Sequence, residues 1–113
     1  MTARATLRPG QRLRSQAVAK VLKEGRGTRA QRFVLLSLPN DLGYPRLALV
    51  VSKRLVARAV SRNRIRRLAR EAFRLRQHEL GGRDLVIRLT RPATPDPVTF
   101  REIDAIIESH CNG

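Results

Sequence analysis

Between Lys53 and Arg76 the chain superimposes two patterns. Ile65, Leu68, Ala72 and Leu75 recur at helical spacing, flanked by Ala69 and Phe73, which predicts a long amphipathic helix with one face in a core. The same stretch carries ten basic residues (Lys53, Arg54, Arg58, Arg62, Arg64, Arg66, Arg67, Arg70, Arg74 and Arg76) against one acid, Glu71. Asn63, Arg67, Arg70 and Arg74 form one helical stripe and Arg62 with Arg66 another, both turned away from the apolar positions. Like charges four residues apart destabilise an isolated helix by roughly 0.2–0.5 kcal/mol per pair. Such a helix needs a core under its apolar side and an anion against the other. Charge runs usually mark a solvated face of mixed sign, but here the sign is nearly uniform, the footprint of a nucleic-acid binder.

The rest of the chain supplies what that helix can pack on. Ala17, Val18, Val21 and Leu22 predict a short first helix over Ser15 to Glu24, ended by Gly25 and Gly27. Gln31 to Leu38 and Leu47 to Ser52 are rich in Phe, Val and Leu, and the turn cluster Pro39, Asn40, Asp41 and Gly43 between them predicts an antiparallel hairpin. Leu85 to Leu89 follows Gly81 and Gly82 and should join the same sheet. Pro92, Pro95 and Pro97 make 91–97 a loop. Thr99 and Glu102 then have capping-box spacing ahead of a last helix bearing Ile103, Ile106 and Ile107. The expected fold class is α+β, a two-layer sandwich of about three helices on a small mixed sheet, in an αβββαβα-like order. At 113 residues the chain suits one RNA-binding domain over 1–113, with residues 1–11 a flexible basic arm.

Composition narrows the partners. The 24 Lys and Arg against 9 Asp and Glu leave +15, self-repulsion that a bound polyanion relieves. The single Cys111 cannot form an internal disulfide, and arginines at 4, 8, 12 and 14 interrupt any signal-like apolar stretch, so a cytoplasmic location is expected. The longest wholly apolar run, Leu47 to Val51, is far short of the roughly 20 residues that span a bilayer.

The run Arg62-Asn63-Arg64-Ile65-Arg66-Arg67-Leu68, preceded by Val50-Val51-Ser52-Lys53-Arg54 and continued by Arg70-Glu71-Ala72-Phe73-Arg74-Leu75-Arg76-Gln77-His78-Glu79-Leu80, closely resembles the signature of the protein subunit of bacterial ribonuclease P in its proteobacterial form. The resemblance implies a protein, monomeric when free, that binds a large catalytic RNA. Together they remove the 5′ leader of precursor tRNA, an endoribonuclease reaction whose chemistry belongs to the RNA. It implies no cofactor on the protein alone, with Mg²⁺ entering through the RNA. By the same resemblance Lys53, Arg54, Arg62, Asn63, Arg64, Arg66, Arg67 and Arg70 face the catalytic RNA, and Arg58 is added by charge, because Leu55 to Val60 lacks the Gly-Asn of many members. A cleft for the single-stranded leader falls on Val18, Leu22, Phe33, Leu36 and Ser52. Some members carry aromatics where Val18, Leu22 and Leu36 stand, and stacking of a base on a ring is worth about 1–3 kcal/mol, so leader contacts here are expected to be weaker or more apolar.

Residues for an unassisted hydrolase are scarce. His78 and His110 are the only histidines. The His110-Cys111 pair lacks two further zinc ligands and is expected to fray with the terminus, while His78 is placed to interact with the last carbonyls of the long helix. Asp96, Glu102, Asp104 and Glu108 gather near the last helix and are expected to keep that face soluble and to repel RNA. No catalytic or metal-ligating residue is therefore expected. A DNA-binding regulator using the same helix in a major groove and an unassisted nuclease stand as alternatives at this point.

Overall fold

A computed structural model describes residues 12–112, and the expected basic arm over residues 1–11 lies outside the described residues. Along the chain run α1 (Ser15–Glu24), β1 (Arg26–Arg29), β2 (Phe33–Pro39), β3 (Arg46–Val50), α2 (Ala59–Leu80), β4 (Arg83–Leu89) and α3 (Pro97–Asn112). Three helices and a four-stranded mixed sheet make the α+β fold expected. Among the described residues no helix is long and apolar enough to cross a membrane.

The sheet order is β1-β2-β4-β3. β4 pairs antiparallel with β2, Leu35 opposite Ile87, and parallel with β3, Leu49 opposite the same Ile87. The expected hairpin between β2 and β3 is therefore wrong, because β4 lies between them. Leu85, Val86 and Ile87 are buried on both faces of the sheet, as suits a central strand, and β2 and β3 flank it on its two edges. The 40–45 turn is tied to β4 instead of closing a hairpin. The Asn40 amide donates to the Gly82 carbonyl (3.0 Å), and the Asn40 side chain donates to Asp84 (2.9 Å) and the Tyr44 carbonyl (3.1 Å). The edge strand β1 completes the three strands that the αβββαβα-like order requires before the long helix, at residues where the sequence pattern shows only the glycines of a helix end. Added carbon at Gly25 would lie 2.5 Å from the Val21 carbonyl and 3.1 Å from that of Ser37, so glycine lets helix and strand meet there.

Period-two alternation divides the sheet into two faces. Phe33, Leu35, Leu47, Leu85, Ile87 and Leu89 pack beneath Ile65, Ala69, Ala72 and Phe73 of α2 and Ile103, Ile106 and Ile107 of α3. On the opposite face Leu36, Leu38, Ala48, Val50 and Val86 receive Ala17, Val18 and Val21 of α1. The helices thus lie on both sides of the sheet, so the α+β fold has three layers where two were expected, because the strands are apolar on both faces and α1 covers part of the second. A parallel bridge from Arg12 to Leu47 leads the chain into α1 from the β3 edge.

The caps of α3 also differ from expectation. Asp96, not Thr99, holds the helix start, accepting from the Thr99 amide at 2.9 Å with Pro97 in the first helical position. Glu102 is thereby released to accept from the backbone amide (2.6 Å) and Nε (2.7 Å) of Arg32 in the β1–β2 turn. Asp104 takes two bonds from Arg76 (2.8 and 3.2 Å), with Glu108 at 3.4 Å. The acids of α3 are mostly fasteners, which corrects the expectation that they only solubilise a face.

Asp84, 7% exposed, joins three strands at the start of β4. Arg46 donates to both its oxygens at 2.7 Å while Asn40 reaches it from the end of β2. Burial alone would raise the Asp84 pKa, but the bonds from Arg46 and Asn40 and the charges of Arg46 and Lys20 outweigh it and hold the carboxyl below its usual range. A folded pKa below the unfolded value of about 3.9 stabilises the fold above that pH, and the contribution is lost as pH falls through the folded pKa. Asp84→Asn, leaving Arg46 without its countercharge but with access to water, is expected to cost about 2–3 kcal/mol in urea unfolding at neutral pH. The variant should also lose part of the acid limb of the stability curve. Identical acid limbs in variant and parent would refute this assignment.

Candidate nucleic-acid interface

Helix α2 positions the cationic residues through its buried stripe. Ile65, Ala69, Ala72, Phe73 and Leu80 are buried, whereas Leu75, expected in the core, is 57% exposed. The stripe is rotated from the expected one: Ile65 and Ala72 belong to both, Ala69 and Phe73 move from its flank to its buried centre, Leu68 packs partly buried at its edge and Leu75 falls outside it. Arg76, between Phe73 and Leu80 on this inner side, is drawn over α3 and its acids. Arg74 pairs with Glu71 at 2.8 Å. The C-terminal half of the helix has therefore largely neutralised its own cations.

The N-terminal half and the segment before it have not. Among the described residues, none of the ion pairs includes Lys53, Arg54, Arg58, Arg62, Arg64, Arg66 or Arg67. Asn63, Arg64 and Arg67 are exposed on the outer face of α2, and Lys53, Arg54 and Arg58 are exposed in the preceding segment. Arg62 donates to the carbonyls of Val56 (3.0 Å) and Ala57 (2.8 Å), so it shapes the segment that presents Lys53 to Arg58. Arg66 donates to the Asn63 side chain at 3.1 Å. The first turn of α2 has neither an acidic residue nor a side-chain cap, leaving its amide groups and positive dipole end beside these arginines.

On the β3 side, Arg66 and Arg70 line a pocket of about 310 Å³ with Arg12, Leu13 and residues 47–49. Burial lowers the Arg70 pKa, and the charges of Arg12, Arg67 and Arg66 lower it further. Cations crowded into a recess create a potential that a phosphate would relieve. Arg12 enters this recess from the end of the arm, a member that helical spacing could not reveal.

The expected leader positions divide. Val18 is half-buried and packs with Leu36 on the α1 face of the sheet, and Leu22 is 40% exposed on α1. Ser52 is exposed past the end of β3, where it lines a recess of about 250 Å³ with Val50, Arg54 and Arg88. Phe33 does not join them. It is wholly buried in the core under α2 and α3, because positions 33 and 36 of one strand point to opposite faces. Val34 stands on the α1 face of the sheet instead, and its register partner Arg88 lies between it and Val50. Arg88 was missed, although an arginine interrupting the apolar run Leu85 to Leu89 was the available signal.

His78 is exposed in the last turn of α2. His110 is not frayed: α3 continues past it, and its Nε2 accepts from Arg83 Nη1 at 2.9 Å. Burial, then the Arg83 charge, lowers its pKa. Among the described residues no group of three His, Cys, Asp or Glu could hold a metal ion.

Comparison with known proteins agrees with this arrangement. The family model described as Ribonuclease P matches residues 7–111. A ribonuclease P protein component from Methylococcus capsulatus is 43% identical over 84 residues, 70% of this chain and 66% of the relative, so the chain spans slightly less than two thirds of that relative's length. The structure of the Staphylococcus aureus RNase P protein superimposes with a TM-score of 0.74 at 26% identity, covering 88% of this chain and 90% of that one. That of the RNase P protein from Thermotoga maritima gives 0.66 at 27% identity over 89% and 92%. With its family match running almost from end to end, the chain belongs to the ribonuclease P protein family.

Proposed function

We propose that the chain is the protein subunit of a ribonuclease P ribonucleoprotein, an endoribonuclease that removes the 5′ leader of precursor tRNA in the cytoplasm. The observation that carries this reading is the segregation of charge along α2. Acids neutralise its C-terminal half, while Arg64 and Arg67, with Lys53, Arg54 and Arg58 before the helix, remain available to a polyanion. These side chains grip the backbone of the catalytic RNA, with Arg66, Arg70 and Arg12 taking a phosphate in the recess beside β3. Arg62 and Asn63 hold the segment in shape.

The partly uncovered sheet face guides the leader. Val18, Leu22 and Leu36 offer apolar surface to bases, and Ser52, Arg54 and Arg88 hold the sugar-phosphate chain at the strand ends. The chemistry is assigned to the RNA, with Mg²⁺ bound through it. The carboxylates that a protein metal cage would use are engaged elsewhere: Asp84 with Arg46, Glu102 with Arg32, Asp104 with Arg76 and Glu71 with Arg74. The protein acts as a monomer that lowers the Mg²⁺ requirement by neutralising phosphates where RNA and substrate meet.

Reconstituted with ribonuclease P RNA, the protein should support cleavage of precursor tRNA at low Mg²⁺, while the RNA-free protein should cleave nothing. Equal rates with and without protein under those conditions would overturn the proposal. Arg64→Ala with Arg67→Ala should weaken binding to the catalytic RNA and flatten its dependence on log salt by roughly one unit per lost phosphate contact, measured by filter binding. Arg88→Ala should weaken binding of leader-bearing precursor but spare mature tRNA, and an equal loss for both would remove Arg88 from the leader path.

A further inference from the structure

At the other end of α2, about 30 Å along a helix of this length, lies a basic pocket that the interface above does not use. It forms where β1 and β4 begin and α3 ends, holds about 810 Å³, and is lined by Arg26, Ser37, Arg83, Ser109 and His110 among others. The sheet register explains the grouping. Arg26 stands opposite Ser37, and Arg83 stands opposite Pro39, two residues farther along β2. All four side chains therefore fall on one face, with β2 lying between the two arginine-bearing strands and setting them roughly 10 Å apart.

The lining of this pocket carries no countercharge among the described residues. Neither Arg26 nor Arg83 takes part in an ion pair among the described residues, and no carboxylate lines the pocket. Arg83 donates to His110 Nε2, which requires the neutral ring with its proton on Nδ1. A chain with few acids has placed three nitrogen bases together and left them facing an open cavity of nucleotide size.

We infer that this pocket is a second RNA contact, in which Arg26 and Arg83 bind backbone phosphate and Ser37, Ser109 and His110 complete the hydrogen bonding. The inference rests on the RNA-binding reading above and extends it to the opposite end of the molecule. An RNA reaching both ends would run along or around the protein, which measures 38 × 36 × 26 Å, so orientation on the RNA would be set by two separated anchors instead of one.

Two measurements on the full chain test this. Inorganic phosphate titrated at constant pH should move the His110 ring resonances saturably in the NMR spectrum and leave those of His78 nearly still, and Arg83→Gln should abolish the response. Arg26→Gln with Arg83→Gln should lower affinity for ribonuclease P RNA or for the precursor complex about tenfold, near the lower end for charged hydrogen bonds, with a shallower salt slope. Both side chains are exposed, so the fold should tolerate the exchange, and an unchanged urea midpoint confirms it. Unaltered affinity and slope in this pair, while Arg64→Ala with Arg67→Ala loses binding, would overturn the second contact and leave the RNA reading intact. Unaltered binding in both pairs would overturn both. Equal responses of His78 and His110 to phosphate would also count against the site.

Discussion

The seating of Ile65, Ala69, Ala72 and Phe73 on the sheet governs the rest of the molecule. Burying a side chain such as Ile65 or Phe73 contributes about 1.5–3 kcal/mol, and a truncation such as Phe→Ala typically costs about 3–5 kcal/mol. That energy holds together a helix whose own charges oppose its formation. It also settles the angle at which every arginine on α2 emerges. Arg76 is turned inward to Asp104, Arg74 pairs locally with Glu71, and Arg64 and Arg67 point outward.

Electrostatics follows from that rotation and from scarcity. Nine acids must serve 24 bases, and the fold concentrates them where elements need joining. Asp84 ties β2, β3 and β4; Glu102 ties α3 to the β1–β2 turn; Asp104 ties α3 to α2. Exposed pairs contribute little, but these are partly buried, and two are bidentate arginine–carboxylate contacts. What remains, among the described residues, is positive charge outside these ion pairs at the start of α2 and in the pocket at the far end. Structural pairing and the cationic surface available to the proposed RNA partner are thus two consequences of one distribution of charge.

The sheet contributes a second division of labour. Its α2–α3 face is apolar and covered except at the pocket beside Arg26 and Arg83, and its α1 face is only partly covered. The strand carrying Phe33 into the core therefore carries Val34 and Leu36 to the accessible side, and the central strand that buries Leu85 and Ile87 presents Arg88 between Val34 and Val50. Stability and binding share the same strands because successive side chains alternate.

The long helix, its uniformly basic character and the α+β class were readable from residue spacing, since apolar periodicity and net charge are local or additive properties. The residues Arg62 to Leu68 carried the family resemblance for the same reason. Strand order was not readable: nothing local in Leu85 to Leu89 says that it inserts between β2 and β3, and β1 is too short and polar to announce itself. Nor could spacing divide the arginines into those that fasten and those that face outward. That division depends on which carboxylate arrives from another element, and Asp104 meets Arg76 only after α3 has packed on α2. Local periodicity determined what the elements are; long-range packing decided their neighbours, and hence which charges remain for a partner.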